Sequence, residues 1–123
     1  MFKGGYYYLA SPYSHPDPAL RAVRFHEAQL AAWKLMQFGV TVYSPIAAWH
    51  PAVEKFGAPT DADSWWQHNK GFLFKSDGII VLTLAGWKES IGVGQELEYA
   101  KEHALRIYYA SREGEEVVLR SRP

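Results

Sequence analysis

A carboxylate in the second turn of one predicted helix is the residue best placed to do chemistry. The apolar run at residues 78–82 predicts a buried strand, and residues 90–100 predict a helix that follows it. Glu96 flanks the stripe of apolar side chains that this helix would turn towards a sheet. A carboxylate partly withdrawn from water is often reactive, so Glu96 is a candidate nucleophile. The alternative is a half-exposed glutamate paired with Lys101 or with a donor on a loop.

The start of the same helix is a candidate anion site. Ser90 suits the N-cap position, and the free N–H groups of a first helical turn bind phosphate readily. Gly92 and Gly94 would let a ligand approach the backbone closely. The alternative is that Ser90 only caps the helix and the glycines only ease packing. The pair is not a dinucleotide fingerprint, because it lacks a third glycine and follows the third strand.

Two other sets of residues have both a functional and a structural interpretation. Asp77 directly precedes the apolar strand, where an aspartate more often caps a helix end or turn than takes part in catalysis. Trp49, Trp65 and Trp66 surround an irregular region and could stack on a flat heterocycle. Tryptophans near a helix start are nevertheless more often core residues than platforms for a base.

Composition narrows the classes of partner and cofactor. Thirteen basic residues balance thirteen acidic ones, which argues against a nucleic-acid polymer as partner. The absence of cysteine excludes disulfides and thiolate chemistry, and the five histidines show no metal-ligand spacing, so we expect neither metal nor cofactor. The run at residues 6–10 is too short for a signal peptide or membrane span, so we expect a cytoplasmic protein with no membrane partner.

Short apolar runs alternate with helical patterns along the chain. We predict strands at residues 6–10, 40–43, 78–84 and 106–109, with a further edge strand at 117–119. We predict helices at residues 17–38, 64–75 and 90–103. Residues 46–63 contain two prolines and a glycine, and we predict an irregular functional loop there.

This alternation predicts a single α/β domain over residues 1–123. The expected architecture is a three-layer, flavodoxin- or Rossmann-like parallel sheet of four to five strands, with helices on both faces. In such sheets, ligands bind beyond the carboxyl ends of the strands, at the point where the strand order reverses. We therefore expect residues 11–15, which follow the first strand, to lie near the helix that carries Glu96.

Two motifs occur together in one known superfamily. Residues 90–100 read Ser-Ile-Gly-Val-Gly-Gln-Glu-Leu-x-Tyr-Ala and follow Asp-Gly-Ile-Ile-Val-Leu at 77–82; residues 8–14 read Tyr-Leu-Ala-Ser-Pro-Tyr-Ser. The chain thus resembles the nucleoside 2-deoxyribosyltransferase superfamily, and most closely its 2′-deoxynucleoside 5′-phosphate N-hydrolases. Residues 86–90 are also similar to a small uncharacterised bacterial and phage group within it. The resemblance spans most of the chain, and residues 90–100 are its specific part.

The resemblance implies a role for each matching residue. Glu96 matches the glutamate that attacks the anomeric carbon and forms a covalent glycosyl-enzyme. Asp77 matches the aspartate that assists departure of the base, and Ser90 matches the serine that contacts the 5′-phosphate. The candidate substrate-binding residues are Ser90, Gly92, Gly94, Ser11, Tyr13, Ser14, Trp49 and Asn69.

Two positions depart from the family pattern. Glu98 stands where the family usually has glycine, and the larger side chain could alter helix packing. Asn69 stands where many relatives carry an aspartate ahead of the third strand. An amide there could change recognition of the base or weaken catalysis.

The resemblance also implies an activity and its partners. It implies an N-glycosidase that cleaves the base–sugar bond of a (deoxy)nucleoside 5′-monophosphate through a covalent intermediate on Glu96. One alternative is a nucleoside 2-deoxyribosyltransferase that exchanges bases, and another is a non-catalytic nucleotide-binding or sensing module. The expected ligand is a small nucleoside or nucleotide. We also expect a homodimer or higher homo-oligomer, because sites in the superfamily borrow residues across subunits.

Overall fold

A mixed sheet runs through the centre of the computed structural model, which describes residues 5–123. Its strands are β1 (Tyr7–Ala10), β2 (Val42–Tyr43), β3 (Gly78–Leu82), β4 (Arg106–Glu113) and β5 (Glu116–Arg120). The helices are α1 (Pro18–Gln37), α2 (Pro45–Phe56), α3 (Ala62–Phe74) and α4 (Ile91–Glu102). The predicted three-layer α/β architecture is confirmed.

The strand order is β2-β1-β3-β4-β5. The first four strands of this order are parallel, whereas β5 pairs antiparallel with β4 at the edge. The same order occurs in flavodoxin-like doubly wound sheets, which reverse direction between their first and third strands. The crevice beyond the carboxyl ends of β1 and β3 is therefore the expected place for a ligand.

Alternate side chains of β1 point to opposite faces of the sheet, as the two-residue period of a strand requires. Tyr7 and Leu9 pack in the same core cluster as Ala31 and Leu35 of α1. Tyr8 and Ala10 pack in the cluster that contains buried residues of α3 and α4. Because of this alternation, the hydroxyl-bearing side chain of Tyr8 faces the helix that carries Glu96.

The segment predicted as an irregular loop is helical in its first two thirds, so that prediction was wrong. Ser44 caps α2 by accepting a hydrogen bond from the Ala47 N–H at 3.1 Å, and Gly57 ends the helix with φ of 66°. Pro51 lies inside the helix. A proline removes one helical hydrogen bond but leaves the rest of the ladder intact, which is why it did not exclude a helix here.

Helix α3 begins earlier than predicted. Its N-cap is Asp61, whose carboxylate accepts a hydrogen bond from the Ser64 N–H at 3.0 Å. The Ser64 hydroxyl also donates to Asp61, at 2.7 Å, so Ser64 supports the cap instead of forming it. Asp61 thus fixes the turn that brings the start of α3 to the crevice.

The strands and the helix predicted for the last third of the chain are present, but their lengths differ from the prediction. Helix α4 begins after Ser90, whose hydroxyl accepts from the Val93 N–H at 3.2 Å. Strand β3 is two residues shorter than predicted, and β4 runs four residues further to pair with β5. No helix within residues 5–123 is both long enough and apolar enough to cross a membrane.

Candidate active site

A cavity lies at the carboxyl edge of the sheet, between the loop after β1, helices α2 and α3, and the first turns of α4. Its polar and aromatic lining residues are Ser11, Tyr13, Ser14, Trp49, His50, Thr60, Asp61, Trp65, Trp66, Asn69, Ser90, Gln95 and Glu96. Apolar side chains of α2 and the backbone at Gly92 complete the wall. The predicted convergence of the first loop with the start of α4 is therefore present in the fold.

Glu96 is buried in the wall of this cavity, with 6% of its surface exposed. It lies on the same face of α4 as the buried residues Val93 and Ala100, so it belongs to the buried stripe and does not merely flank it. The Tyr8 hydroxyl donates a hydrogen bond to Glu96 Oε2. The carboxyl group thus has one fixed protein partner and one side that borders the cavity.

Burial dominates the ionisation of this pair. Withdrawal from water raises the pKa of Glu96 from 4.5 to about 8, although the hydrogen bond from Tyr8 acts in the opposite direction. Burial, and then the negative charge of Glu96, raise the pKa of Tyr8 well above its ordinary value. Tyr8 therefore stays a hydrogen-bond donor, and Glu96 becomes a carboxylate only as the pH approaches 8.

The start of α4 contributes two of the three residues expected there. Ser90 and Gly92 line the cavity, and a Cβ on Gly92 would lie 3.5 Å from the Cβ of Ala62. Gly94 is not part of the lining, and a Cβ there would meet no atom within 4 Å. Two residues along a helix turn the side chain by about 200°, so Gly94 faces away from the ligand crevice.

A second hollow adjoins the cavity at the start of α4, and the positively charged side chain of Arg24 forms part of its wall. The acidic residues Asp61 and Glu89 line it as well. The residues that it shares with the cavity are Ser14, Asp61, Ala62, Ser90 and Gly92. The Arg24 guanidinium donates to the Ser14 carbonyl at 3.2 Å. Gly86 has φ of 92°, a conformation that favours glycine, and a Cβ on it would lie 2.8 Å from Arg24 Nη2. The sequence analysis did not identify Arg24.

The loop after β1 places all three of its predicted residues in the cavity wall. Ser11 is 6% exposed, and its buried hydroxyl oxygen has no hydrogen-bond partner among the described residues. Ser14 donates its hydroxyl to the Thr60 carbonyl, which ties this loop to the segment before α3. The Tyr13 hydroxyl lies 2.6 Å from His50 Nδ1. Only Ser11 therefore presents an unused polar group.

His50 is a cavity residue that sequence analysis considered only as a metal ligand. It is 5% exposed, and its ring stacks on Phe25 of α1 with centroids 4.4 Å apart. Its Nε2 lies 3.2 Å from Glu54 Oε1, one helical turn further along α2. The four-residue spacing of His50 and Glu54 is a recognisable helical pair. It was overlooked because this segment was predicted to be irregular.

Tryptophans form one side of the cavity. Trp49 and Trp65 lie with ring centroids 5.6 Å apart, and both are among the lining residues, as is Trp66. The Trp49 indole N–H donates to the Tyr43 hydroxyl at 3.0 Å, and that of Trp65 donates to the Pro59 carbonyl at 2.6 Å. These bonds fix the orientation of both rings, so the wall is a preorganised aromatic surface whose two rings are tilted by 39° to each other.

Asn69 lies near the carboxyl ends of the parallel strands, whereas Asp77 lies at their amino ends. Asn69 lines the cavity, and its buried Oδ1 has no hydrogen-bond partner among the described residues. Asp77 is exposed at the amino end of β3, where its N–H donates to the Tyr6 carbonyl at 2.8 Å. Parallel strands have their carboxyl ends at a single edge, so a residue before β3 cannot reach a ligand beyond it. Asp77 is therefore removed from the candidate site.

Within residues 5–123, no group of three or more histidine and acidic side chains is arranged to hold a metal ion. The chemistry open to the cavity is that of its carboxyl, phenol, imidazole and amide groups.

Fold and cavity together define a small α/β domain with a cavity at its topological switch point. Residues 5–112 match the family described as a domain of unknown function, DUF1937. The match covers most of the chain, which therefore belongs to the DUF1937 family. No curated protein matches the sequence.

Proposed function

We propose that this protein is an N-glycosidase that cleaves the base–sugar bond of a (deoxy)nucleoside 5′-monophosphate, with Glu96 as nucleophile. The observation that carries the proposal is the buried Glu96 carboxyl in the cavity wall, held by Tyr8 and close to a helix start. A desolvated, oriented carboxylate is suited to bond to a cationic carbon centre. The resemblance of residues 90–100 to the N-hydrolases supports the same reaction.

The start of α4 supports binding of a phosphate group. The N–H groups of a first helical turn carry partial positive charge, and Arg24 adds a full charge in the adjoining hollow. Glu96 lies in the second turn of the same helix. An anion at the helix start would therefore hold the attached sugar at a fixed distance from the carboxyl, and such positioning contributes several kcal/mol to a reaction.

The opposite wall of the cavity supports binding of a flat base. Trp49 and Trp65 present oriented aromatic surface, and stacking of a base on such a ring contributes about 1–3 kcal/mol. The unused oxygen of Asn69 would accept a hydrogen bond from an amino or imino group of the base. The lining thus offers complementary groups for the phosphate, the sugar and the base of one nucleotide.

The proposed reaction proceeds in two steps at the anomeric carbon. The Glu96 carboxylate bonds to C1′ as the C1′–N bond breaks, and the electron pair of that bond leaves with the base. Water then attacks C1′ of the glycosyl ester, and Glu96 is released as a carboxylate. Attack by a second base in place of water would make the protein a transferase.

One observation favours a second candidate, a nucleotide-binding module without catalysis. Asn69 occupies the cavity where many relatives of the resembled superfamily carry an aspartate, and an amide cannot donate a proton as an acid does. Burial also keeps Glu96 protonated near neutral pH, since its pKa is raised to about 8. A binding module would retain the pocket while releasing no base.

A substrate panel separates these functions. The protein is incubated at pH 8 with ribo- and deoxyribonucleosides and their 5′-monophosphates, and free base is measured by chromatography. Release from monophosphates, abolished in Glu96→Gln, supports the hydrolase; a new nucleoside formed with an added free base identifies a transferase. Thermal stabilisation by a monophosphate without base release identifies the binding module. Wild-type rates in Glu96→Gln would remove Glu96 from the mechanism.

A further inference from the structure

A chain of three side chains connects the cavity to solvent on the side formed by α2. The Tyr13 hydroxyl lies 2.6 Å from His50 Nδ1, and His50 Nε2 lies 3.2 Å from the Glu54 carboxylate. Tyr13 and His50 line the cavity, whereas the Glu54 side chain is 60% exposed. Stacking on Phe25 fixes the plane of the imidazole. The arrangement therefore leads from a half-buried phenol to bulk water through an imidazole.

The cavity needs a proton donor that is not Glu96. Of the described residues that line it, four have ionisable side chains, namely Tyr13, His50, Asp61 and Glu96. The hydrogen bonds from Ser64 lower the pKa of Asp61, so this N-cap is a carboxylate near neutrality and has no proton to give. With Glu96 as nucleophile, Tyr13 and His50 are the remaining groups that can exchange protons.

We propose that Tyr13 is a second catalytic residue, which exchanges protons with the leaving base and the attacking water, and that His50 and Glu54 are positioning residues for it. The inference rests on the proposed N-glycosidase function and extends it. Tyr13 was predicted to bind substrate, and its contact with His50 points to a further role in proton exchange.

The proton balance of both steps closes within this chain. In the first step, the base nitrogen that keeps the C1′–N electron pair takes the Tyr13 proton, which leaves Tyr13 as a phenolate in contact with His50 and near the Arg21 guanidinium. In the second step, water loses a proton to this phenolate as the water oxygen bonds to C1′, and the ester bond electrons return to Glu96.

Charged groups around Tyr13 suit this exchange. Burial raises the pKa of Tyr13, the guanidinium of Arg21 on α1 opposes that rise, and the Glu54 carboxylate on α2 adds to it. Arg21 therefore stabilises any negative charge that develops on the phenol oxygen. His50 is in contact with Tyr13, Glu54 and the uncharged ring of Phe25.

Two substrates with different leaving groups test the assignment. One is the nucleotide that the wild-type protein cleaves. The other is the same sugar phosphate with a 4-nitrophenoxy group at C1, which leaves as the stable 4-nitrophenolate anion and therefore needs no proton. Tyr13→Phe should slow release of the base about 10²–10⁴-fold, as loss of a general acid does. The first-turnover burst of nitrophenolate should be unchanged. Tyr109→Phe, on β4 and outside the cavity lining, is the matched control and should change neither rate.

His50→Gln provides a second variant if Tyr13→Phe does not fold. It should slow base release, spare the nitrophenolate burst and change the pH dependence of base release, because the hydrogen-bond partner that holds the Tyr13 hydroxyl is lost. Equal losses on both substrates, or no loss on either, overturn the assignment while the glycosidase proposal stands. If the wild-type protein releases neither base nor nitrophenolate, the glycosidase proposal fails and takes this inference with it.

Discussion

The Tyr8 hydroxyl on β1 donates a hydrogen bond to Glu96 on α4, across the interface between the sheet and the helix. The two residues are 88 positions apart in the chain, and both are buried. Tyr8 supplies a polar partner for a carboxyl that would otherwise be unsatisfied in an apolar layer. The contact therefore offsets part of the cost of burying the Glu96 carboxyl and also fixes the orientation of this proposed nucleophile.

The raised pKa of Glu96 predicts how stability depends on pH. Between pH 4.5 and about 8 the folded state holds a proton on Glu96 that the unfolded chain has lost, so stability falls as pH rises through this window. Glu96→Gln, which resembles the protonated acid, should match the wild type at pH 5 and exceed it at pH 9 by as much as about 5 kcal/mol. Urea denaturation at several pH values measures the difference. Parallel profiles for the two proteins would contradict the raised pKa.

Tyr8→Phe tests the hydrogen bond separately from burial. Removing the donor takes away the interaction that lowers the pKa of Glu96, so the carboxylate should form only at still higher pH. The rising limb of kcat/KM, which should fall near pH 8 in the wild type, should move to higher pH. The measurement is base release across pH 6–10. A limb that stays in place would show that Tyr8 does not control Glu96.

Ser90→Ala tests the phosphate site. It should lower the free energy of unfolding by about 1 kcal/mol through loss of the N-cap, and it should slow cleavage of a monophosphate more than that of the matching nucleoside. Ser44→Ala is the control, since Ser44 caps α2 but does not line the cavity. It should cost similar stability without changing the preference for phosphate. Equal losses on both substrates in Ser90→Ala would argue against a phosphate at this helix start.

Trp49→Ala tests the stacking wall. In the Glu96→Gln background, which removes turnover, it should weaken nucleotide binding by about 1–3 kcal/mol. Trp33→Ala is the comparison, because Trp33 is 53% exposed on α1 and is not in the cavity lining. Calorimetric titration with a 5′-monophosphate measures both. Unchanged affinity in Trp49→Ala would remove this ring from the base site.

Asp77→Asn tests the placement of the proposed site at the carboxyl edge. Asp77 lies at the amino edge of β3, so its carboxylate cannot reach a base held between Trp49 and Glu96. Base release by Asp77→Asn should equal that of the wild type across the pH range. A large loss of activity in a variant of normal stability would mean that the substrate binds elsewhere.

Local patterns in the sequence determined every helix and strand except α2, and one end of the candidate site. The apolar run at 78–82 and the serine-capped helix after it are set by short-range preferences, and both appear as β3 and α4. The burial of Glu96 also follows in part from its helical phase. The direction of the strands would have been enough to exclude Asp77 from the site. Asp77 precedes β3, so it lies at the amino end of that strand, whereas the cavity lies beyond the carboxyl ends of the parallel strands.

Only the tertiary structure decided which distant groups meet. The pairing of β1 beside β3 brings Tyr8 under α4, and the packing of α2 on α1 seats His50 between Phe25 and Tyr13. Such contacts join residues from separate elements, whereas periodicity and capping rules describe only neighbours along the chain. The sequence therefore determines most of the scaffold and the helix that carries Glu96, and three-dimensional packing selects the partners that set the pKa of Glu96 and complete the cavity.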